Sequence, residues 1–177
     1  MTASCVPVLI QQNVNGSKFF NRSWAEFKVG FSDTNGNYWL GNDLLSQLTL
    51  SRRYKLRFDL QARDNLSWYY AEYSSFNVYG ESRDYELHVS GYSGNAGGDA
   101  LSHHNGMMFT TYDRDNDPWT DSRYNNNCAV RLGGGFWYKS CGSCRVNVGL
   151  GRDNYFKWDS PQTRYLYLQS TRMWLMC

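Results

Sequence analysis

The chain has 177 residues, enough for one domain with a sizeable core and too few for two ordinary ones. Its 7 Trp, 14 Tyr and 9 Phe make aromatics 17% of the sequence, which excludes a disordered protein. A net charge of +2 with no Lys/Arg stripe argues against a nucleic-acid face, and a mean hydropathy of −0.64 with no long apolar run excludes a membrane-spanning helix.

Ser23-Trp24-Ala25-Glu26 is a capping box. It predicts a short helix that Gly30 stops. Asn42 to Leu48 predicts a second helix with Leu44, Leu45 and Leu48 on its apolar face. Tyr54, Leu56, Phe58 and Leu60 alternate with Lys55, Arg57 and Asp59, the pattern of a half-buried strand. The aromatic run Trp68 to Tyr73, followed by Phe76 and Val78, suits a strand covered on both faces. Tyr85, Leu87 and Val89 alternate with polar residues again, so antiparallel pairing is expected. Past residue 91 the texture is Gly, Ser, Asn and Asp, and strand patterning returns at Tyr165 to Leu168. Loops this long need a disulfide or a metal to hold them.

The 5 cysteines suggest an oxidising compartment. A zinc site fits poorly, because Cys141-Gly142-Ser143-Cys144 lacks a second pair and a following His. Sequons at Asn15, Asn21 and Asn65 fit a secreted glycoprotein, although Met1 to Cys5 carries no signal-peptide pattern. Asp113-Arg114-Asp115-Asn116-Asp117 sets oxygen ligands at alternating positions, a pattern that suits Ca²⁺ and equally a solvated acidic turn. It is no EF-hand, since Pro118 and Tyr124 stand where that loop needs Gly and Glu. Cys128 and Cys141 lie 13 positions apart, and a bridge between them would contribute about 3 kcal/mol, but five cysteines do not reveal their pairing. Enzyme motifs are missing: His88 sits on the polar face of a strand, and His103-His104 reads as an exposed loop pair rather than a metal pair. Asp153 and Asp159 are equally weak as a glycosidase pair.

Several ordered motifs then carry a resemblance. They include Leu9-Ile10-Gln11, Tyr38-Trp39-Leu40-Gly41-Asn42-Asp43, Tyr54-Lys55-Leu56-Arg57, Tyr92-Ser93-Gly94-Asn95-Ala96-Gly97 and His104-Asn105-Gly106-Met107. The strongest is Phe109-Thr110-Thr111-Tyr112-Asp113-Arg114-Asp115-Asn116-Asp117, followed by Asn127-Cys128-Ala129. Together they resemble the fibrinogen-related C-terminal domain, whose members include ficolins, tachylectins, angiopoietin-like proteins and tenascins.

The resemblance implies an α+β fold: a twisted antiparallel sheet with short helices and a loop-rich calcium-binding subdomain. The family's N-terminal subdomain is expected to be missing. Residues 1–8 form an atypical remnant, 9–91 the sheet subdomain, and 92–177 the calcium and ligand-pocket subdomain, with a C-terminal strand returning to the sheet. Calcium is expected on the side chains of Asp115 and Asp117 and the carbonyls of Trp119 and Asp121, although an insertion over 121–126 unsettles the last of these. Cys128–Cys141 is the expected disulfide, and the Ser140-Cys141 peptide is expected to be cis, aiming backbone N–H groups into a ligand pocket. That pocket would be built from Trp137, Tyr138, Ser140, Cys141, Gly142 and Asp153, with Trp137 and Tyr138 either stacking on sugar or packing in the core. Gly142 replaces a histidine found in acetyl-binding members, and Arg152 replaces an aromatic neighbour of Asp153, so the acetyl slot is expected to be altered. Cys144–Cys177 is a candidate extra bridge, and Cys5 or an upstream region a candidate oligomer contact. The function implied is a secreted, extracellular, non-enzymatic module for calcium-dependent binding of acetylated glycans or microbial surfaces, of the innate-immune lectin type. The alternative is a receptor- or matrix-binding ligand.

Overall fold

The capping box at Ser23 forms as the sequence predicts. Ser23 Oγ accepts from the Glu26 N–H, Glu26 Oε2 accepts from the Ser23 N–H at 2.9 Å, and the helix ends at Gly30 with φ of 92°. The computed structural model describes residues 6–149, 156–160 and 163–177. In sequence order its elements are β1 (Val8–Asn13), α1 (Trp24–Val29), β2 (Phe31–Ser32), β3 (Tyr38–Trp39), α2 (Asn42–Ser51), β4 (Tyr54–Ala62), β5 (Trp68–Val78) and β6 (Leu87–Gly94). The loop-rich remainder carries α3 (Cys128–Leu132), β7 (Cys144–Arg145), β8 (Lys157–Ser160) and β9 (Thr163–Met176).

The main sheet runs β2-β3-β1-β9-β4-β5-β6, and every pair in it is antiparallel. The C-terminal strand β9 therefore lies inside the sheet, between β1 and β4, while its first residues pair with β8. Period-2 alternation in β4 holds: Leu56, Phe58 and Leu60 are fully buried while Arg57 and Asp59 face outward beside Glu72.

Three features depart from expectation. In α2 the buried positions are Asn42, Leu45, Ser46 and Thr49, while Leu44 is exposed. Thr49 is buried because its Oγ1 accepts from the Val78 N–H at 3.1 Å and its carbonyl accepts from the Asn77 amide at 2.6 Å. The aromatic run opening β5 is not covered on both faces: Trp68 is exposed, and Tyr69 and Tyr70 are half-buried. Tyr85 lies before β6 rather than in it, with φ of 53°.

The loop-rich half is fastened to the sheet by buried amides on β1. Gln11 Nε2 lies 3.1 Å from Val146 O, 3.0 Å from Asn147 Oδ1 and 3.1 Å from Thr171 Oγ1. Asn13 Nδ2 reaches Val146 O and Val148 O, and Asn147 Nδ2 donates to Gly135 O. Backbone carbonyls of a buried loop are thereby satisfied without a strand partner. Aromatic packing completes the join, with Phe27, Phe109 and Trp137 ring to ring at 5.0 and 5.1 Å.

Candidate functional site

The acidic loop starts from a fixed base. Thr110 bridges Phe136, and the Asn116 side chain donates to Phe109 O at 2.8 Å, so the backbone turns back on itself at 111–116. The carboxylates then divide by task. Asp113 accepts from the Thr111 hydroxyl at 2.7 Å and from the Trp24 N–H at 2.9 Å, tying the loop to the first turn of α1. Asp121 is paired with Arg123 through both carboxylate oxygens. That leaves Asp115, exposed, and Asp117, half-buried, on one short stretch.

Asp117 Oδ2 accepts from the Cys128 N–H at 2.9 Å and Oδ1 from the Trp119 N–H at 3.0 Å, while its own N–H donates to Asp115 Oδ1 at 3.2 Å. Burial pushes the Asp117 carboxyl up to about 6 and the Asp115 charge adds to the rise, against the two N–H donors that lower it. Two carboxylates and adjacent carbonyls are a hard-oxygen donor set of the sort Ca²⁺ takes. The Asp121 carbonyl already accepts from the Tyr124 and Asn126 N–H groups, both at 3.0 Å. Both its lone pairs are thus engaged within the turn that the 121–126 insertion forms. Among the described residues no group of three or more His, Cys, Asp or Glu side chains converges on a metal position.

Asp117 leads directly to the disulfide. Cys128 opens α3, whose Asn127 cap accepts from the Val130 N–H, and it is bonded to Cys141 with Cα atoms 5.1 Å apart. Cys144 is a free buried thiol and Cys177 is disulfide-bonded, so the candidate Cys144–Cys177 bridge does not form. Cys5 lies outside the described residues.

The expected pocket is arranged differently. Trp137, Tyr138 and Cys141 are fully buried. The Trp137 indole donates to Tyr85 O and the Tyr138 hydroxyl to Gly134 O, both at 2.6 Å, so these two rings are core and not stacking walls. The Ser140-Cys141 peptide is trans, as are all peptides of the described residues. Ser140, Cys141 and Gly142 instead occupy the left-handed region in succession, with φ of 47°, 61° and 60°. The N–H groups that follow do not open onto a pocket; Ser143 and Cys144 both donate to His104 Nε2 at 3.1 Å. Of the expected pocket residues, Ser140 is exposed and Gly142 half-buried, while Asp153 and its neighbour Arg152 lie outside the described residues.

His104 is the residue that sequence reasoning misplaces. It is fully buried, and Nδ1 sits 2.6 Å from Trp137 O. Nε2 accepts two N–H bonds, so Nδ1 carries the proton and the ring is neutral. Burial holds its pKa down at about 4. A Cβ on Gly142 would lie 1.9 Å from the His104 ring, so the glycine is required by both φ and space. The only signal for this in the sequence is the His104-Asn105-Gly106-Met107 motif itself. His103, beside it, is exposed, whereas both ring nitrogens of His104 are taken by backbone groups.

Comparison with known proteins agrees with this architecture. The family model "Fibrinogen beta and gamma chains, C-terminal globular domain" matches residues 2–173. Mouse microfibril-associated glycoprotein 4 is 36% identical over 176 residues, an alignment that takes in 93% of this chain and 66% of that protein. Mouse tenascin is 43% identical over 145 residues, or 82% of this chain and 6% of tenascin. The protein thus spans about two-thirds of the first relative and a small part of the second. Among solved structures, the fibrinogen-like globe domain of human ANGPTL2 matches with a TM-score of 0.82 at 33% identity, covering 96% of this chain and 79% of that one. Lamprey fibrin D-dimer, complexed with the peptide Gly-His-Arg-Pro-amide, matches at 0.75 and 30%, covering 94% and 60%. The protein belongs to the family of fibrinogen-type C-terminal globular domains.

Proposed function

We propose that the protein is an extracellular, non-enzymatic recognition module that binds a receptor or matrix protein and is supported by one calcium ion. The carboxylates of Asp115 and Asp117 and the carbonyl of Trp119 would hold the ion, which would neutralise two like charges and fix the 115–119 loop against Cys128. The observation that carries this reading is the division of the acidic run. Asp113 and Asp121 are committed to other partners, while Asp115 and Asp117 stay together on the loop with Asp117 raised by burial. Burial of Trp137 and Tyr138 favours a protein partner over an acetylated glycan, because a sugar needs an open aromatic wall. The solved relative in complex with a four-residue peptide amide supports the same choice.

The glycan reading keeps Ser140 and Gly142 as its accessible surface, and a single experiment separates the two. The protein is applied to an N-acetylated glycan array and to a panel of immobilised receptor and matrix ectodomains, each with calcium and with chelator. Ectodomain binding that chelator weakens and free N-acetylglucosamine leaves intact is the expected result. Chelator-sensitive binding confined to acetylated glycans selects the lectin reading, and binding indifferent to chelator and to Asp117→Asn refutes calcium support.

A further inference from the structure

A second site lies on the sheet, away from the acidic loop. Tyr54 of β4 pairs with Phe76 of β5, but Leu56 pairs with Tyr73, so β5 carries an extra residue where Ser74 and Ser75 stand opposite Lys55. Bulges of this sort re-aim side chains and open the sheet locally. Here a cleft of about 330 Å³ results, lined by Arg53, Tyr54, Ser74, Ser75, Phe76 and Asn77. Its volume lies at the small end of the range of ligand-binding clefts.

The cleft is rimmed by positive charge. Arg52, Arg53 and Lys55 are all exposed, and none forms an ion pair with a carboxylate among the described residues. Other cations nearby are committed: Arg57, two positions along the same strand face, is bonded to Asp59 and Glu72. Ordinary explanations account for one of the three. Arg52 caps the C-terminus of α2, where a cation complements the helix dipole, and lies over the Tyr54 ring at 5.2 Å. Lysines that guard sheet edges do not explain Lys55, because β4 is internal, between β9 and β5. The Asn77 amide is engaged with Thr49, which leaves the Ser74 and Ser75 hydroxyls as the neutral donors beside the cations.

We propose that this bulge cleft binds the sulfate groups of a sulfated glycan. Arg53 and Lys55 supply charge, Ser74 and Ser75 supply hydroxyl donors, and Arg52 extends the cationic rim toward the next sulfate along the polymer. Serine hydroxyls suit sulfate and sugar oxygens alike, and an extracellular setting, taken from the proposed function, makes such a polymer available. The site is independent of calcium, so its test is run in chelator, and failure here leaves the calcium reading untouched.

The probe is a heparin oligosaccharide, measured by surface plasmon resonance at low and physiological salt. The wild-type protein is expected to bind, more weakly as salt rises. Arg53→Gln/Lys55→Gln is expected to bind about tenfold more weakly, with Arg53→Lys/Lys55→Arg restoring most of the loss. Lys18→Gln/Lys139→Gln, which removes the same charge elsewhere, is expected to behave as wild type. Equal melting temperatures verify that the exposed substitutions leave the fold intact. Wild-type affinity in Arg53→Gln/Lys55→Gln, an equal loss in the Lys18/Lys139 control, undiminished binding of desulfated heparin, or tighter binding of a DNA duplex would each overturn the proposal.

Discussion

The buried His104 makes acidification a quantitative test. Its ring is neutral in the fold, with a pKa held at about 4, whereas unfolding returns it to about 6.5. Between those values the unfolded state binds the proton and the folded state does not, so stability falls as pH falls. The full difference corresponds to about 3 kcal/mol, of which about 2 kcal/mol is lost by pH ~5. Asp117 acts in the opposite sense without calcium. Its folded pKa of about 6 lies above the ordinary carboxyl value, so its protonated form favours the fold as pH drops below 6, although partial exposure weakens that contribution. A raw pH profile would therefore mix two slopes. His104→Gln separates them, since it keeps an amide donor and a carbonyl acceptor but cannot titrate. Urea unfolding of both proteins from pH 7 to pH 4 is expected to show wild type ahead at pH 7, with its lead shrinking by about 3 kcal/mol at acid pH. Parallel profiles would show that the ring is not held neutral, and the assignment of Nε2 as a double acceptor would fall with it.

Calcium is expected to raise the melting transition of wild type but not of Asp117→Asn, and calcium affinity is expected to decline below pH ~6 as the Asp117 carboxyl takes up its proton, both read by thermal shift. Gly142→Ala puts a methyl group against the His104 ring in a left-handed turn, and a loss of about 2 kcal/mol or more is expected in urea unfolding. Gln11→Ala takes the donor from the buried Asn147 Oδ1 and one of two donors from Val146 O, where Asn13 remains, so a loss of about 1–3 kcal/mol is expected, with early hydrogen exchange in the 146–148 segment.

What the sequence reveals is local. The Ser23–Glu26 box and the alternation of Leu56, Phe58 and Leu60 specify structure within a few residues, and both form as read. The apolar assignment of Leu44 fails because α2 meets β5 through Thr49, whose partners Asn77 and Val78 lie 28 and 29 positions away. Of the two readings open for Trp137 and Tyr138, the structure takes core packing, for a related reason. Spacing places Trp137 and Tyr138 beside a disulfide, but it does not say which side of the backbone faces the core. Gln11 and Asn13 look like ordinary polar positions of a strand until β9 is inserted beside them, more than 150 positions on. The acidic run is legible in composition, while its division of labour is not: Asp113 is drawn off by a helix N–H 89 positions earlier.

The acidic loop and the Ser140–Gly142 turn are joined by a short series of bonds. Asp117 accepts from the Cys128 N–H, Cys128 is bonded to Cys141, and the turn at Cys141 and Gly142 is shaped around His104, which is anchored to Trp137 O. Each link is rigid for a stated reason: a carboxylate with two N–H donors, a covalent bridge, and a ring with all its polar atoms satisfied. A cation at Asp115 and Asp117 would add charge neutralisation at the first link. Under the calcium reading the ion therefore supports the Ser140 surface without contacting whatever binds there. Chelator sensitivity and direct coordination of the ligand are then separate properties, and the Asp117→Asn variant tests the first alone.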